Sequence, residues 1–129
     1  MAATAEQELI ELSRQLIDSI TTADWKTYAE LCAEDISCFE PEAVGHLVEG
    51  MEFHRYYFNL GAGDSPRNTT LVAPKVRLMG DVAVVTYVRL TQRINEADAP
   101  TTSSFEETRV WQKQDGAWKH VHFHRSPCR

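Results

Sequence analysis

Residues 102–125, TSSFEETRVWQKQDGAWKHVHFHR, decide the fold. The residues on both sides of Asp115-Gly116 follow a two-residue period. That dipeptide is a strong hairpin signal, because a tight two-residue turn needs positive φ at both central positions. The stretch therefore predicts two strands, near 102–114 and 117–125. Working backwards, Asn95–Pro100 reads as a longer connection and residues 82–95 as a third strand. Gly80-Asp81 separates that strand from a fourth at 68–79. Strands this close in sequence pair as antiparallel neighbours.

Upstream of the loop Gly61-Ala62-Gly63-Asp64-Ser65-Pro66 the period changes to that of helix. Thr4 and Gln7 have the spacing of a capping box, and Leu9, Leu12, Leu16 and Ile20 recur at helical spacing with Ile10 and Ile17 beside them. Asp24 is placed to cap a second, shorter helix whose apolar face is Trp25, Tyr28 and Leu31/Cys32. A third helical segment is expected from about Met51 to Asn59, with Phe53, Tyr57 and Leu60 on one side. Helices followed by a meander of long strands is an α+β pattern. A curved antiparallel sheet folded around the long first helix satisfies it.

With 129 residues the chain suffices for one domain, residues 1–129. Hydrophobic residues make up 43% and charged residues 25%, the composition of an ordinary globular domain. No apolar run approaches the ~20 residues of a membrane helix, so no membrane partner is expected. The three cysteines have no CxxC spacing and favour a reduced, cytoplasmic setting. The net charge of −6 is uneven: residues 1–60 carry 12 acids and 3 bases, residues 61–129 carry 7 acids and 10 bases. That pattern disfavours nucleic acid and favours contact between the halves or between copies of the chain.

Strand phase singles out three arginines. Arg89 shares a face with Val85 and Tyr87, Arg109 with Phe105 and Trp111, and Arg125 with Val121 and Phe123. If those faces are concave, three guanidinium groups converge inside the sheet. Buried, they require carboxylates, of which Glu107 is in phase with Arg109, or an anionic ligand. Internal ion pairs or solvated arginines are an equally weighted reading. His120, His122 and His124 occupy alternate positions of one strand, but no third ligand type has matching spacing. Neither a metal nor another cofactor is expected. Glu40 and Glu42, split by Pro41, suit a structural role such as pairing with Arg better than acid–base catalysis.

The block FEPEAVGHLVEGMEFHRYYF (39–58), with FEETRVW (105–111), DGAW (115–118) and VHFHR (121–125), resembles the association, or hub, domain of calcium/calmodulin-dependent protein kinase II. That family lies within the nuclear-transport-factor-2-like superfamily, and the resemblance runs from the first helix to Arg125. It implies a cone-shaped domain with a cavity and assembly into two stacked rings, commonly of about twelve or about fourteen subunits. It also implies a non-catalytic organiser of kinase subunits. The cavity arginines, which hold small carboxylates or an acidic peptide segment, correspond to Arg89, Arg109 and Arg125. Tyr28 and His54 match positions lining the same cavity. At Leu60–Gly63 the sequence lacks the tryptophan of animal relatives, so the resemblance does not extend to a tryptophan lid. No kinase or calmodulin-binding segment precedes Met1 here; an excised domain and a free-standing hub, able to mix with kinase-bearing subunits, both fit.

The expected function is therefore an oligomerisation hub with an arginine-lined carboxylate pocket. The alternative is an isomerase- or dehydratase-type enzyme using that pocket, since the same cone fold hosts such enzymes.

Overall fold

Helix α1 (Ala5–Thr21) opens the computed structural model, which describes residues 3–129. Thr4 closes the predicted capping box: its side chain accepts from the Gln7 amide at 3.1 Å, and Gln7 Oε1 accepts from the Thr4 amide at 2.9 Å. Leu9, Leu16 and Ile17 form the fully buried stripe of this helix, with Leu12 and Ile20 against its margins. Helix α2 (Trp25–Leu31) follows a tight turn and is capped by Asp24, whose carboxylate accepts from the Thr27 amide.

The sheet has six strands: β1 (Cys32–Phe39), β2 (Val48–Glu49), β3 (Arg67–Met79), β4 (Val82–Ile94), β5 (Pro100–Gln114) and β6 (Ala117–Pro127). Their order is β2-β1-β6-β5-β4-β3. The meander β3–β6 is antiparallel throughout, as its period predicts, and its β5–β6 turn has positive φ at both Asp115 and Gly116. Edge strand β3 is interrupted by a register shift between Val72 and Lys75, with Ala73 at φ 49° beside Pro74. A bulge and a proline remove the flat ladder on which another strand would add.

Strand β1 is not among the predicted strands. It leaves α2 without a loop and lies parallel to β6. Its alternation is masked in the sequence by Glu34-Asp35 and by a register break between Cys32 and Ser37. Ile36 and Cys38 nevertheless face the core, fully buried. Beyond β1, a short 3-10 turn (Pro41–Ala43) leads through Val44 and Gly45, both at positive φ, into β2 and then α3 (Glu52–Asn59).

One expectation about facing residues is refined and one is corrected. On α3, Phe53 and Tyr57 pack together on one side, as expected, with ring centroids 5.3 Å apart, while the most buried positions are His54 and Phe58 and Leu60 is exposed. The inward stripe is the i, i+4 pair His54/Phe58, with Phe53 at its edge. On β6, Val110 pairs with His122 but Trp111 pairs with His120, so Val121 is an extra residue opposite β5. This bulge flips the alternation. His120 faces the core with Phe123, while His122 lies part-buried against Ser37 and His124 is exposed. The three histidines do not share a face.

Candidate functional site

The concave side of the sheet and the inner faces of α1, α2 and α3 enclose a cavity of about 200 Å³. Tyr28, His54, Arg89, Arg109 and Arg125 all line it, joined by Glu40, Glu42 and Phe123. The arginines come from β4, β5 and β6, as strand phase indicates. Because of the Val121 bulge, Arg125 shares the inner face with Phe123 and not through unbroken alternation from Val121.

Arg109 is the deepest of the three arginines, with a side chain only 1% exposed. Its Nη2 donates to Glu107 Oε1 at 2.9 Å and its Nε to the Tyr87 hydroxyl at 2.7 Å; Tyr87 in turn donates to Glu107 Oε1 at 2.8 Å. The guanidinium also stacks over Phe123, 4.7 Å from the ring centroid. Burial disfavours charge on both partners. It pushes the Glu107 carboxyl up, but Arg109 and Arg89 outweigh it and hold the group below its ordinary 4.5. Burial likewise pulls Arg109 down, yet Tyr87 and Glu107 reverse the sign and keep it firmly cationic.

The other two guanidinium groups stand around this pair. Arg89 Nε lies 3.2 Å from Glu107 Oε2, close enough for an ion pair but not aligned as a hydrogen bond. Arg125 Nε is 3.8 Å from the same oxygen. Arg125 Nη1 reaches across to the turn after β1, donating to Glu42 at 2.8 and 3.0 Å and to Glu40 at 3.4 Å. The two glutamates thus have the structural role that their sequence context favours. Three arginines meet three carboxylates, and the cavity is balanced in charge.

The balance is not uniform. Glu107 is fully buried, whereas the Glu42 side chain is 36% exposed. Glu42 is the carboxylate with the least to lose by leaving, since its ion pair is screened by water.

His54 faces the cavity from the first turn of α3. Its Nδ1 lies 3.2 Å from the Tyr28 hydroxyl and its Nε2 3.9 Å from Cys38 Sγ. Burial, reinforced by Arg109, pulls its pKa from 6.5 to about 4, so the ring is neutral at physiological pH. Sequence reasoning missed Cys38 and Tyr87. A single cysteine on an unpredicted strand gave no signal for the first. Tyr87 shares a face with Arg89, which was the available clue.

Comparison with known proteins came to a consistent result. A family model described as the calcium/calmodulin dependent protein kinase II association domain matches residues 5–129. A calcium/calmodulin-dependent protein kinase type II subunit delta from Oryctolagus cuniculus is 46% identical over 124 residues, 94% of this chain. The match covers 23% of that relative, so the chain spans under a quarter of its length. Among solved structures, the CaMKII hub homology domain of Chlamydamonas reinhardtii is 45% identical with a TM-score of 0.91, covering 98% of this chain and 100% of that one. The association domain of C. elegans CaMKII is 43% identical with a TM-score of 0.90, covering 94% of each. An NTF2-like superfamily protein from Salmonella enterica shares the fold at 21% identity and a TM-score of 0.77, covering 96% of this chain and 91% of that one.

Proposed function

We propose a function from one premise: the chain belongs to the calcium/calmodulin dependent protein kinase II association-domain family. It acts as a self-assembling hub, an oligomerisation module that closes into two stacked rings of about twelve or more copies. The outer face of α3 is the observation that carries this reading. Tyr56 and Leu60, one helical turn apart, are 61% and 66% exposed. A helix that buries His54 and Phe58 inward while presenting aromatic and aliphatic side chains outward has apolar surface to cover. Val44 adds to it, 83% exposed and in the left-handed region that β-branched residues avoid.

The partners that fit are copies of this chain and hub-bearing kinase subunits, in the cytoplasm. No helix among the described residues is long and apolar enough to cross a membrane. The chain works as an organiser whether it stands alone or within a longer protein.

The cavity is the ligand site in this reading, with Arg89, Arg109, Arg125, His54 and Tyr28 as its binding residues. Small carboxylates, or an acidic side chain of a peptide segment, enter by displacing Glu42 from Arg125 and engaging Arg89. Supporting this is the uneven pairing: the Arg89 side chain forms no hydrogen bond among the described residues, and the Glu42 side chain is part-exposed. Calorimetry with acetate and longer monocarboxylates tests it; binding lost in Arg89→Met supports the site, and binding equal in both proteins removes it.

The enzymatic alternative needs a base in the cavity. His54, at about 4, is a weak one, and Glu42 and Glu107 are each held by a guanidinium. Glu40, its pKa raised by burial and its contact with Arg125 a long 3.4 Å, is the carboxylate best suited to the role. Turnover of a carboxylic acid that vanishes in His54→Ala would establish the alternative.

A further inference from the structure

Where β1 meets α3, the cavity wall carries a mixed set of donors that the arginine network does not explain. Cys38 lies near the end of β1, Glu40 just beyond it, and His54 in the first turn of α3. One thiol sulfur, one carboxylate oxygen and one imidazole nitrogen come within 4.8 Å of one another. The sulfur and the His54 Nε2 are 3.9 Å apart. We infer that Cys38, Glu40 and His54 form a three-donor site for a borderline-soft divalent cation, best matched by zinc, with a fourth position open to the cavity.

The donor types choose the metal. Calcium and magnesium require oxygen shells, and this site supplies a single oxygen residue alongside sulfur and nitrogen. Zinc takes thiolate, imidazole and carboxylate at about 2.0–2.3 Å, which places donors of a tetrahedral site about 3.3–3.7 Å apart. The Cys38–His54 separation is a few tenths of an ångström longer. Glu40 has the most to travel and the freest hold. Its contact with Arg125 is the long one at 3.4 Å, and Glu42 keeps Arg125 paired at 2.8 Å when Glu40 turns away.

The surroundings orient the ring. Tyr28 occupies the Nδ1 side of His54, so the tautomer with Nδ1–H donating to the Tyr28 hydroxyl leaves the Nε2 lone pair toward Cys38. Ligating histidines are held in this way by a partner on the other nitrogen. Neutral His54 offers that lone pair without losing a proton. Thiolate and carboxylate together cancel the charge of a divalent ion. The metal has to draw the thiolate from a thiol that burial, and then Glu40, push up to about 12 against the opposing pull of Arg109 and Arg125, so loading releases a proton.

The site shares His54 and the cavity with the carboxylate reading but is tested separately, since the metal needs neither Arg89 nor an exogenous acid. Cobalt(II) is the probe, with the folded full chain titrated under reducing conditions. One equivalent per chain is expected to give tetrahedral d–d absorption together with a thiolate-to-cobalt charge-transfer band, both displaced by zinc. Cys38→Ser abolishes the charge-transfer band, and Glu40→Gln, at a part-buried position, weakens cobalt at least tenfold. Cys128→Ser, just past the end of β6 and outside the three-donor set, leaves the titration unchanged. Zinc also raises the thermal midpoint of wild type but not of Cys38→Ser. Folded wild type with no charge-transfer band overturns the site outright, whatever the variants do. A band that survives in Cys38→Ser, or is lost in Cys128→Ser, overturns it as well.

Discussion

Glu107 and Arg109, two residues apart on β5, bring Oε1 and Nη2 to 2.9 Å with both side chains removed from water. The strand period places them on one face, and the Tyr87 hydroxyl closes a triangle between them. Every other charge in the cavity is arranged around this pair. Arg89 and Arg125 both approach its remaining oxygen, Glu107 Oε2.

Removing one member of a buried pair leaves the other charge uncompensated, which costs about 3–5 kcal/mol. Glu107→Gln is therefore expected to lower unfolding stability by at least about 3 kcal/mol, read by chemical denaturation. The double variant Glu107→Gln/Arg109→Met is expected to be more stable than Glu107→Gln alone. A single-variant loss below about 1 kcal/mol, the scale of a surface pair, contradicts the role given to this pair.

Glu42 behaves differently because its ion pair with Arg125 is part-exposed. Glu42→Gln is expected to change stability by less than about 1 kcal/mol and to tighten carboxylate binding about threefold to fivefold. Calorimetry with acetate checks this. Weaker binding in Glu42→Gln would show that Glu42 helps to hold the ligand and does not compete with it.

His120 supplies a pH dependence. It is fully buried between Trp111 and Phe123, with Nε2 3.4 Å from Arg109 Nη1. Burial, then the charge of Arg109, holds its pKa well below 6.5. The unfolded chain takes up a proton as pH falls below 6.5 and the folded chain does not. Stability is therefore intact above that pH and declines below it. His120→Gln is expected to flatten the slope of stability against pH between about 6.5 and 5 by up to one proton. An unchanged slope in unfolding titrations over that range would mean that His120 is protonated in the fold.

The helix caps, the four long strands and the inward arginines were legible because each rests on short-range chemistry or on strand phase. Thr4/Gln7 and Asp24 cap where their spacing places them, and Asp115-Gly116 turns as its φ demands. What escaped depends on single insertions or on distant partners. One extra residue at Val121 separates His120 from His122, and the acids of β1 conceal a strand that pairs parallel with β6. The Glu42–Arg125 pair joins positions 83 residues apart, so sequence could offer an arginine partner without saying which. Cys38 acquires its neighbours only through the approach of α3 to β1, which no local pattern encodes.

Assembly is decided by native mass spectrometry of the purified chain. A closed particle of about twelve or more copies of the 14.7 kDa chain is expected. Tyr56→Asp/Leu60→Asp is expected to shift it toward smaller species. A monodisperse monomer or dimer of the folded wild-type chain would show that it is not a ring-forming hub.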